Sequence, residues 1–543
     1  MRFPFLSGLF ARCGRQKLRY IMRGYRFLKD SKSLSRIADI KRTLTTQPLD
    51  IKEKHYSKYI FGESIGQAAI VCKQYLFIRV AGLNLNRALL YALGRRGSPV
   101  VYYLPREWRD ILRKQGLRVA PLRTALLWRA FVGIMLVYGV LRIGKIIFIG
   151  IRAAFNQSVQ QSGCYVYFSD LVRENLPQPS KDGRSHDIIT WYMQWSGRVS
   201  GIEALCHGVI GTDHRAVNGT PVFPIPSPIP PLTNFSSLSC FTAWGIGAIL
   251  IATWDFLSGR WWHPLLLNQA AFAAQVRLQE PKRLAKEYLF HYSGWIYRPM
   301  WTYEAERRST RFTFYFYSTN CEDFKRKEGY PPLKYDRHAM SCWPHYLVWD
   351  EYQADFVMRA VGETANISVV GSIWFHCSAK EMPSFGDRGV AVFDVTPHRE
   401  SRYRTLGADL EYYVPQTCLP FLSDIQKVTN DAGYMMIWKR KRKIGSLAHP
   451  RYRSFAEHLE MSKNVISVDP DISPNRVIEA SMAVISMPFT STALIARELG
   501  KPTCYYDPTG LVQKDDRAAH GIEIIRGQKE LTGWLTKYTG GTD

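Results

Sequence analysis

The sequence predicts an α/β protein in which two parallel-sheet halves, each covered by helices, enclose a cleft. The chain has 543 residues. This exceeds the size at which one hydrophobic core keeps growing, so we expect at least two domains. Hydrophobic residues make up 46% of the chain and charged residues 22%, the balance of a globular protein. Short hydrophobic runs alternate with segments of helical spacing, the pattern of parallel sheets.

The first series of elements predicts a β-α-β-α unit. Its strands are expected at 75–80 and 100–104, and its helices at 84–96 and 106–116. Further strands are predicted after an insertion, at 165–168 and 312–317. The Pro-rich stretch 221–231 lies inside this insertion and is expected to be extended, because proline fixes φ and lacks an N–H.

The second series begins near residue 346. Its predicted strands cover 346–349, 367–370, 391–395, 434–438, 465–468, 483–486 and 503–506. Its predicted helices cover 351–361, 421–431, 474–480 and 491–499. Doubly wound sheets bind ligands at the carboxyl ends of their strands, so we expect the site there.

These two series define the predicted domains. A basic N-terminal segment occupies 1–60. A first α/β domain follows over 61–345, with insertions near 120–155 and 220–300. A C-terminal α/β domain covers 346–543 and is expected to bind a ligand at the carboxyl ends of its strands.

The formal net charge of +26 predicts a polyanionic partner, which could be nucleic acid, a phosphorylated substrate or anionic lipid. We disfavour nucleic acid, because the sequence has no helix-turn-helix, zinc-finger, RNA-recognition or KH pattern and its cations are spread along the chain. The ten cysteines include no Cys-x-x-Cys pair, so no local zinc or redox motif is expected. Scattered thiols are typical of a reducing compartment.

Two apolar stretches predict contact with a membrane. The first covers 130–141 and resumes at 146–151, and the second covers 241–254. Neither uninterrupted run reaches the roughly 20 residues of a spanning helix. Cations and tryptophans at their edges favour helices that lie in the membrane interface. Buried core helices, and a span through 130–151, are the alternatives.

A cluster of hydroxyl residues follows the predicted strand 483–486. Pro488 stops the strand, and Thr490, Ser491 and Thr492 open the next helix with favourable N-cap types. Unpaired N–H groups and the helix dipole attract phosphate, so these residues predict a donor-phosphate site. A plain capped helix is the alternative.

A run of cations leaves the end of the predicted strand 434–438. Lys439, Arg440 and Lys441 are expected to reach the same cleft edge and to neutralise a phosphate there. A solvated charged face is the alternative interpretation.

The segment Pro488-Phe489-Thr490-Ser491, followed by Glu498-Leu499-Gly500-Lys501-Pro502, resembles the signature of the polysaccharide biosynthesis PFTS-motif family. The resemblance covers roughly residues 160–540. It implies a surface-carbohydrate transferase of GT-B form, with two Rossmann-like domains that face a cleft. The domain 61–345 would then be the acceptor side, and the domain 346–543 would bind the nucleotide donor. It does not imply a particular donor or acceptor.

Two further resemblances are more distant. Cys206-His207-Gly208 is similar to a segment of glycerophosphotransferases. His449-Pro450, taken with Ser491-Thr492, resembles the paired motifs of bacterial sialyltransferases and Kdo transferases. In those enzymes the hydroxyls hold the phosphate of a CMP-activated donor, which implies a similar contact for His449.

A transferase needs a base to activate the acceptor hydroxyl. We expect Glu304 or Glu306 to act in this way, since the surrounding Trp and Tyr side chains would raise a carboxyl pKa toward the working pH. His207 is expected to contact the acceptor or a phosphate. A surface carboxylate pair and a core histidine are the alternatives. Asp336 and Asp350 are further carboxylate candidates.

Together these features predict an inverting, metal-independent glycosyltransferase with no resident cofactor. Its expected partners are a nucleotide-activated sugar, a lipid-linked or polysaccharide acceptor and an anionic membrane. We expect it in the bacterial cytoplasm, attached peripherally to the inner face of the cell membrane. The one Asp-x-Asp pair, Asp469-Pro470-Asp471, contains proline and lies outside the first domain. Polyol-phosphate transfer and an inactive membrane-bound scaffold are the alternatives.

Overall fold

A computed structural model of the chain describes residues 31–46, 49, 54–94, 98–155, 164–178, 185–196, 201–212, 215–291, 297–319, 322–331, 333, 341–375, 380–398, 412–445 and 447–539. These residues form a helical region and two sheets. Most of the basic N-terminal segment, and the candidate Asp336, lie outside the described residues.

Helices dominate the N-terminal part. In chain order the helices are α1 (Ser31–Thr46), α2 (Ser57–Phe61), α3 (Ile65–Arg79), α4 (Leu83–Gly94), α5 (Arg106–Lys114), α6 (Pro121–Phe155), α7 (Ile188–Ser196), α8 (Phe235–Leu257), α9 (Trp262–Arg277), α10 (Met300–Glu306), α11 (Glu351–Val361), α12 (Pro415–Asp431), α13 (Pro450–Leu459), α14 (Pro474–Ala480), α15 (Thr492–Glu498) and α16 (Gly527–Thr539).

The predicted strands at 75–80 and 100–104 are wrong. Residues 75–79 end the helix α3, whose buried side chains, such as Ala68, Cys72 and Leu76, recur at a helical spacing. The helical spacing of these buried side chains decides the structure, although the short run of β-branched and aromatic residues favours a strand. Residues 100–104 contribute only the isolated bridge between Val100 and Val119. The helix expected at 106–116 is present as α5.

The apolar stretches belong to two long helices. Helix α6 has 35 residues and α8 has 23, and both are long and apolar enough to cross a membrane. The expectation that neither stretch reaches a spanning length is therefore wrong, because Arg142 and Lys145 lie within α6 without interrupting it. By length and composition, the bent pair Ser57–Arg79 and Asn84–Leu93 would be a third candidate.

Helices α6 and α8 pack side by side in antiparallel directions against the buried helix α9. We call this pair the hairpin, although residues 156–234 separate the two helices in the chain. Glycines allow the close approach: a Cβ at Gly139 would lie 2.7 Å from Leu267, and one at Gly245 would lie 2.7 Å from Ile143. At the end of the hairpin, the rings of Phe155 and Phe235 are 5.9 Å apart. One face of each long helix is thereby covered, and the other is exposed.

A buried polar network joins this hairpin to α2 and α9. Asp255, at the end of α8, accepts hydrogen bonds from Tyr56 Oη at 2.8 Å and from Arg260 Nε, and its second oxygen contacts His263 Nδ1. The other ring nitrogen of His263 lies 2.9 Å from Ser57 Oγ. Since Asp255, His263 and Ser57 are fully buried, each depends on the others for its hydrogen bonds.

The strands form two sheets. They are β1 (Tyr165–Phe168), β2 (Ala204–His207), β3 (Arg215–Val217), β4 (Thr220–Pro224), β5 (Glu287–His291), β6 (Arg311–Tyr315), β7 (Tyr346–Val348), β8 (Ile367–Val369), β9 (Gly389–Phe393), β10 (Met435–Lys439), β11 (Val465–Val468), β12 (Ala483–Ser486), β13 (Thr503–Asp507) and β14 (Ile524–Arg526).

The first sheet has eight strands in the order β3-β4-β2-β1-β5-β6-β7-β8 and is parallel except for β3. Strand β7 pairs with β6, and β8 pairs with β7. Both were predicted in the C-terminal series, so the first sheet extends past the boundary expected at residue 346. Leu347 and Val348 of β7 are fully buried in it.

The second sheet is fully parallel, with six strands in the order β11-β10-β9-β12-β13-β14. This is the doubly wound Rossmann order, in which the chain moves outward from the first strand and then returns to its other side. The first sheet reverses beside β1 in the same way. The two Rossmann-like halves confirm the predicted GT-B-like fold class.

We expect Asp255→Asn to reduce the free energy of unfolding by about 3–5 kcal/mol, because it removes a buried carboxylate that accepts from several donors and turns an amide N–H toward them. Urea denaturation in mild detergent, followed by tryptophan fluorescence, measures the change. Asp355→Asn is the matched control: this carboxylate is 52% exposed and pairs with Arg359 on the helix surface, so a loss within about 1 kcal/mol is expected. Equal losses in the two variants would contradict the prediction.

Candidate functional site

The strand order of the second sheet reverses between β9 and β12, and a crevice opens outside the carboxyl ends of these strands. Asp394 follows β9 directly, and residues 487–492 connect β12 to α15. The predicted hydroxyl cluster therefore lies at the position where such sheets bind ligands.

Hydroxyl groups line this connection. Thr492 Oγ1 lies 2.9 Å from Ser486 Oγ and 3.2 Å from Thr490 Oγ1. Thr490 Oγ1 also donates to the carbonyl of Met487 at 2.8 Å. Helix α15 has seven residues and its N-cap, Ser491, makes no side-chain capping bond. The Ser491 hydroxyl instead forms hydrogen bonds with residues outside its own helix.

That contact crosses the cleft. Ser491 Oγ accepts hydrogen bonds from the N–H of Thr319 at 3.1 Å and from its hydroxyl at 3.2 Å, and donates to Ser318 Oγ at 3.2 Å. Ser318 and Thr319 follow β6 of the first sheet. The predicted phosphate site and the carboxyl edge of the first half are therefore in direct contact.

The turn before the hydroxyls has an unusual backbone. Phe489 adopts φ 63°, the left-handed region that a bulky side chain rarely occupies. The centre of its ring lies 4.6 Å from that of Phe324, on the loop between β6 and β7. Tyr413 donates to the carbonyl of Pro488 at 2.8 Å, and Tyr505 donates to that of Thr490 at 2.9 Å. Side chains from several elements thus fix the turn.

Asp394 is a site residue that sequence reasoning missed. It is 3% exposed, and its Oδ2 accepts a hydrogen bond from Tyr452. Its Oδ1 makes no well-formed hydrogen bond among the described residues, although the indole N–H of Trp438 and the guanidinium of Arg440 lie close enough to lower the pKa of the carboxyl. Burial raises the pKa of this carboxyl to about 6. A buried acceptor at the reversal point is suited to a polar ligand group.

The predicted cations are arranged less simply than expected. Lys439 ends β10, is 5% exposed and donates to the carbonyl of Pro470 at 3.1 Å. Burial lowers its pKa to about 8. Arg440 pairs with Glu460 at 2.8 Å and lines a cavity of about 340 Å³ beside α13. Lys441 is exposed. A phosphate contact by these three residues stays a prediction.

His449 lies in a loop that adjoins the crevice. Its N–H donates to the carbonyl of Pro397 at 2.9 Å, three residues beyond Asp394. Its ring Nδ1 accepts from the N–H of Arg451 at 3.2 Å, so the side chain caps α13. Its predicted phosphate contact also stays a prediction.

The first sheet carries a second polar cluster where its strand order reverses. Ser169 and Asp170 follow β1, and His291 and Tyr315 end the neighbouring strands β5 and β6. The Ser169 hydroxyl is 4% exposed and the Tyr315 hydroxyl is fully buried, and neither has a hydrogen-bond partner among the described residues. Sequence reasoning missed this cluster, because only the strand order brings its members together.

His291 lies at the centre of the cluster. Its Nε2 is 3.3 Å from the carbonyl of Asp170, a residue with φ 53°. Its ring is 5.8 Å from the rings of Tyr315 and Tyr317 and 5.2 Å from that of Phe375. Burial lowers the pKa of His291, which the hydrogen bond to Asp170 only partly opposes, so the ring is neutral near pH 7.

His207 lies at the carboxyl end of β2, one strand away from β1. It is 2% exposed, and its Nδ1 accepts from the N–H of Val209 at 3.2 Å. Burial, with Arg215 as the second cause, lowers its pKa to about 4. The ring is neutral and forms part of its own turn, and a contact with the acceptor stays a prediction.

The structure does not bring Glu304 and Glu306 to the cleft. Helix α10 follows β5 and leads back to the start of β6, so its last residues lie toward the amino edge of the sheet. Glu304 is 4% exposed and accepts from Ser64 at 2.7 Å, and Glu306 pairs with Arg298. Their surroundings are those of structural carboxylates and do not favour the role of a base, which stays a prediction.

Asp350 also has structural partners. It caps α11 through the N–H of Gln353 at 3.0 Å, and it contacts His520 at 2.8 Å and Arg497 at 3.1 Å across the cleft. Burial alone would raise its pKa, but the hydrogen bond from His520 and its neighbours hold the pKa below the usual value. Asp350 therefore links the two halves.

No group of three or more His, Cys, Asp and Glu residues within the described ranges could hold a metal ion. Asp469 and Asp471, the one Asp-x-Asp pair, both contact Lys380 at 2.7 Å. This pair is therefore engaged in a surface salt-bridge network.

Comparisons with known proteins identify a family. The model of the family "Polysaccharide biosynthesis PFTS motif protein" matches residues 244–535, more than half of the chain. The sequence matches no curated protein.

Solved structures are similar at low identity. UDP-GlcNAc 2-epimerase from Methanocaldococcus jannaschii is 8% identical with a TM-score of 0.32, and 70% of this chain and 93% of that chain are covered. The E. coli heptosyltransferase WaaC with ADP is 11% identical with a TM-score of 0.29, covering 69% of this chain and 100% of that one. A variant of S. aureus TarM is 9% identical with a TM-score of 0.29, covering 50% and 52%. These TM-scores are too low to indicate a shared activity.

Asp394→Asn tests the burial of the crevice carboxylate. Because the folded pKa of about 6 lies above the ordinary value of 3.8, the wild type loses stability as the pH rises from 4 to 6, while the amide does not titrate. The variant should therefore gain up to about 3 kcal/mol relative to the wild type between pH 4 and pH 7. Urea denaturation at both pH values measures this difference, and a pH-independent difference would refute the assignment.

Proposed function

The chain belongs to the polysaccharide biosynthesis PFTS motif family, and from this premise we propose that it transfers a sugar from a nucleotide-activated donor to a lipid-linked or polysaccharide acceptor. The proposal rests on one observation. The strand order of the second sheet reverses at a point lined by three hydroxyls and a buried carboxylate, those of Thr490, Ser491, Thr492 and Asp394. Ligands of doubly wound sheets bind at this position.

The proposed donor site uses neutral donors for phosphate and a carboxylate for the nucleoside. Asp394 Oδ1 can accept a hydrogen bond from a ribose hydroxyl or a base N–H. The hydroxyls around Ser491 donate to phosphate oxygens without adding negative charge. When phosphate enters, Ser491 exchanges its contacts with Thr319 for contacts with the ligand. The Thr319 N–H then becomes a further donor from the other half.

We propose an inverting, metal-independent reaction that needs no resident cofactor. An acceptor hydroxyl attacks the anomeric carbon while the bond to the nucleotide phosphate breaks, and the phosphate takes up the departing charge. Fixed hydroxyl and N–H donors stabilise charge that develops in this way. Four nearby residues would add further phosphate contacts, as the sequence motifs predict: Lys439, Arg440, Lys441 and His449.

The donor nucleotide is left open by the motifs. Ile495 and Ala496 stand where many UDP-sugar transferases carry a ribose-binding carboxylate, and the His-Pro and Ser-Thr pairs favour a CMP-sugar. Transfer of a polyol phosphate from a CDP-polyol would use the same phosphate site. An inactive membrane-bound scaffold would bind neither donor.

We further propose that the hairpin of α6 and α8 attaches the enzyme to the inner face of the cell membrane. The exposed stripe of α8 is apolar over Ile246, Leu250, Trp254 and Leu257, each at least 60% exposed. Apolar area of this kind inserts into the interface, and cations near it add about 1 kcal/mol each on an anionic leaflet. Such a surface would give the site access to a lipid-linked acceptor.

The packing of the hairpin favours an interfacial position over a span. Ile143 faces Gly245 and Gly150 faces Leu238, so the exposed Lys145 lies opposite the middle of α8. In a spanning hairpin its ammonium would lie near the bilayer centre, at a cost of about 2.5–3.5 kcal/mol. A hairpin that lies along the surface lets this side chain reach the headgroups.

The donor prediction is tested by thermal shift with CMP-, CDP-, UDP-, GDP- and dTDP-linked ligands. A nucleotide sugar should raise the Tm, and Ser491→Ala with Thr492→Ala should weaken its binding at least tenfold because phosphate contacts are lost. The loss of folding stability should stay within about 0.5–2 kcal/mol. Thr532→Ala, at an exposed helical hydroxyl in the same half, is the control.

Unchanged donor affinity in the double variant would show that the site is assigned wrongly. Stabilisation by CDP-polyols alone would favour polyol-phosphate transfer, and the absence of any shift would favour the scaffold. Transfer or hydrolysis of the bound donor should continue in EDTA, and strict loss of activity on chelation would refute the metal-independent reaction.

Membrane binding is tested by flotation with vesicles of phosphatidylcholine and phosphatidylglycerol. Leu250→Glu should reduce binding at least tenfold, because it places a charge on the apolar stripe. Leu511→Glu is the matched control, since Leu250 is 66% exposed and Leu511, on the second half, is 63% exposed. Alkaline carbonate should release the interfacial form. Recovery of folded wild type in the aqueous fraction would contradict attachment, and resistance to carbonate would favour a span.

A further inference from the structure

Two polar side chains near the carboxyl end of β2, those of His207 and Arg215, have no role in the proposed donor site. We propose that His207 and Arg215 bind a phosphate group of the acceptor, and that the acceptor is therefore a phosphate-linked lipid that carries the sugar to be extended. The inference rests on the proposed function and deepens it, because it names the class of the acceptor.

The strand register places the two side chains on one face of the first sheet. Val222 of β4 pairs with Leu205 of β2 and with Arg215 of β3, and paired residues of neighbouring strands share a face. His207 lies two residues after Leu205 on β2, so its side chain leaves the same face. The guanidinium of Arg215 is close enough to His207 to help lower the pKa of the imidazole. One ligand can therefore contact both groups.

His207 offers a neutral hydrogen-bond donor. Its Nδ1 accepts from the N–H of Val209 at 3.2 Å, so the proton of the neutral ring is on Nε2. Burial, with Arg215 as the second cause, lowers the pKa of His207 to about 4, so the ring keeps this form at pH 7. No acceptor among the described residues bonds to Nε2.

Arg215 adds a charged donor. Its Nη1 is buried and has no hydrogen-bond partner in the described part of the chain. No carboxylate within the described ranges forms an ion pair with its guanidinium. A buried charge without a partner is costly unless an anion pairs with it. His207 and Arg215 thus bring unused donors to one place, which is the complement of an anion.

A phosphate group satisfies these donors. Arginine binds phosphate through two parallel N–H bonds, and a further phosphate oxygen stays available for the imidazole N–H. A carboxylate has only two oxygens, so it would leave one of the donors poorly bonded. A sugar hydroxyl needs an acceptor as well as a donor, and the two side chains offer donors alone.

The donor phosphate lies too far away to fill this site. Ser491 contacts the first sheet at Thr319, which follows β6, whereas His207 ends β2. Strands β1 and β5 lie between them, so three strand intervals of about 4.8 Å separate the two places by roughly 14 Å. The phosphate at His207 and Arg215 therefore belongs to the acceptor, whose sugar extends toward the donor.

The site also adjoins the proposed membrane contact. The N–H of Ile225 donates to the carbonyl of His207 at 2.7 Å, and ten residues later the chain enters α8 at Phe235. The apolar part of a lipid-linked acceptor stays in the bilayer while its phosphate lies at the headgroups. A phosphate site beside the start of the hairpin suits such a molecule, whereas a polysaccharide without phosphate would leave both donors unused.

The test measures the binding of decyl phosphate to the full-length protein by isothermal titration calorimetry in dodecyl maltoside. Arg215→Gln should weaken this binding by about tenfold or more, because a charged hydrogen bond to phosphate is lost. His207→Ala should weaken it by about threefold or more, and His207→Gln, which keeps an N–H donor, should recover most of the loss. Arg311→Gln is the matched control, at an exposed arginine on the amino edge of the same sheet, and should bind as the wild type does.

Folding stability separates a ligand site from a structural role. Arg215→Gln removes a buried charge that has no partner among the described residues, so its Tm without ligand should equal or exceed that of the wild type. Decyl phosphate should raise the Tm of the wild type and not that of the variant. A lower Tm of Arg215→Gln together with unchanged binding would show a structural role and overturn the proposal.

Further ligands identify the source of the phosphate. Decyl glucoside, which has the same chain without charge, and decanoate, which has a carboxylate, should bind about tenfold or more weakly than decyl phosphate. Inorganic phosphate should compete only at higher concentration, because it lacks the chain. Vesicles that contain phosphatidylglycerol should bind Arg215→Gln as well as the wild type, since the hairpin makes that contact. Loss of vesicle binding in this variant would assign the site to phospholipid headgroups and overturn the acceptor assignment.

The outcomes separate this proposal from the proposed function. Equal binding of decyl phosphate to the wild type, Arg215→Gln and His207→Ala would overturn the phosphate site and leave the proposed sugar transfer standing. The absence of any nucleotide-sugar binding to the wild type would overturn the sugar transfer and, with it, the acceptor role of the site.

Discussion

The reversal of strand order beside the first strand of each sheet is the constraint on which the other features of the molecule depend. Right-handed crossovers place helices on opposite faces to either side of a reversal, so the carboxyl ends of the two central strands stay uncovered. Polar side chains can be buried there without entering an apolar core. Asp394 follows the first strand of the second sheet and Ser169 follows the first strand of the first sheet, so these two polar residues occupy equivalent places. The order of the strands thus sets the position of the cleft, and the side chains then line it.

Polar contacts of modest strength join the two halves across this cleft. Ser491 bonds to Thr319, and Glu498 accepts from the N–H of Ser372 at 2.7 Å. The net contribution to stability is about 0.5–1.5 kcal/mol for a neutral hydrogen bond and about 1.5–3 kcal/mol for one to a charged group such as Glu498. Contacts of this strength hold the two halves in one arrangement. Their donors and acceptors can still leave each other and bond to a ligand. The helical hairpin differs, because its covered face is apolar and its polar anchor, Asp255, is fully buried.

The sequence predicts features that depend on neighbouring residues, and fails where the partner strand decides. The hydroxyl cluster at 490–492 lies at the carboxyl end of a strand, as expected, because a strand, a proline and a helix follow one another directly. Glu304 lies away from the cleft, since a helix that follows a parallel strand returns toward the opposite edge of the sheet. The polar cluster around His291 required the strand order, which no local pattern contains. At 75–80 a short apolar run concealed the longer helical period of α3.

The backbone of Phe489 has a mechanical consequence. A left-handed conformation at a bulky residue costs about 1–3 kcal/mol, and persists only while surrounding groups enforce it. One of these groups, Phe324, lies on the loop between β6 and β7, and this loop is bonded to the second half because Lys325 and Tyr330 both contact Asp516. The groups that enforce the turn are therefore all attached to the second half. The backbone that carries the hydroxyls can keep its shape when the angle between the halves changes, so the phosphate site stays assembled while the cleft opens.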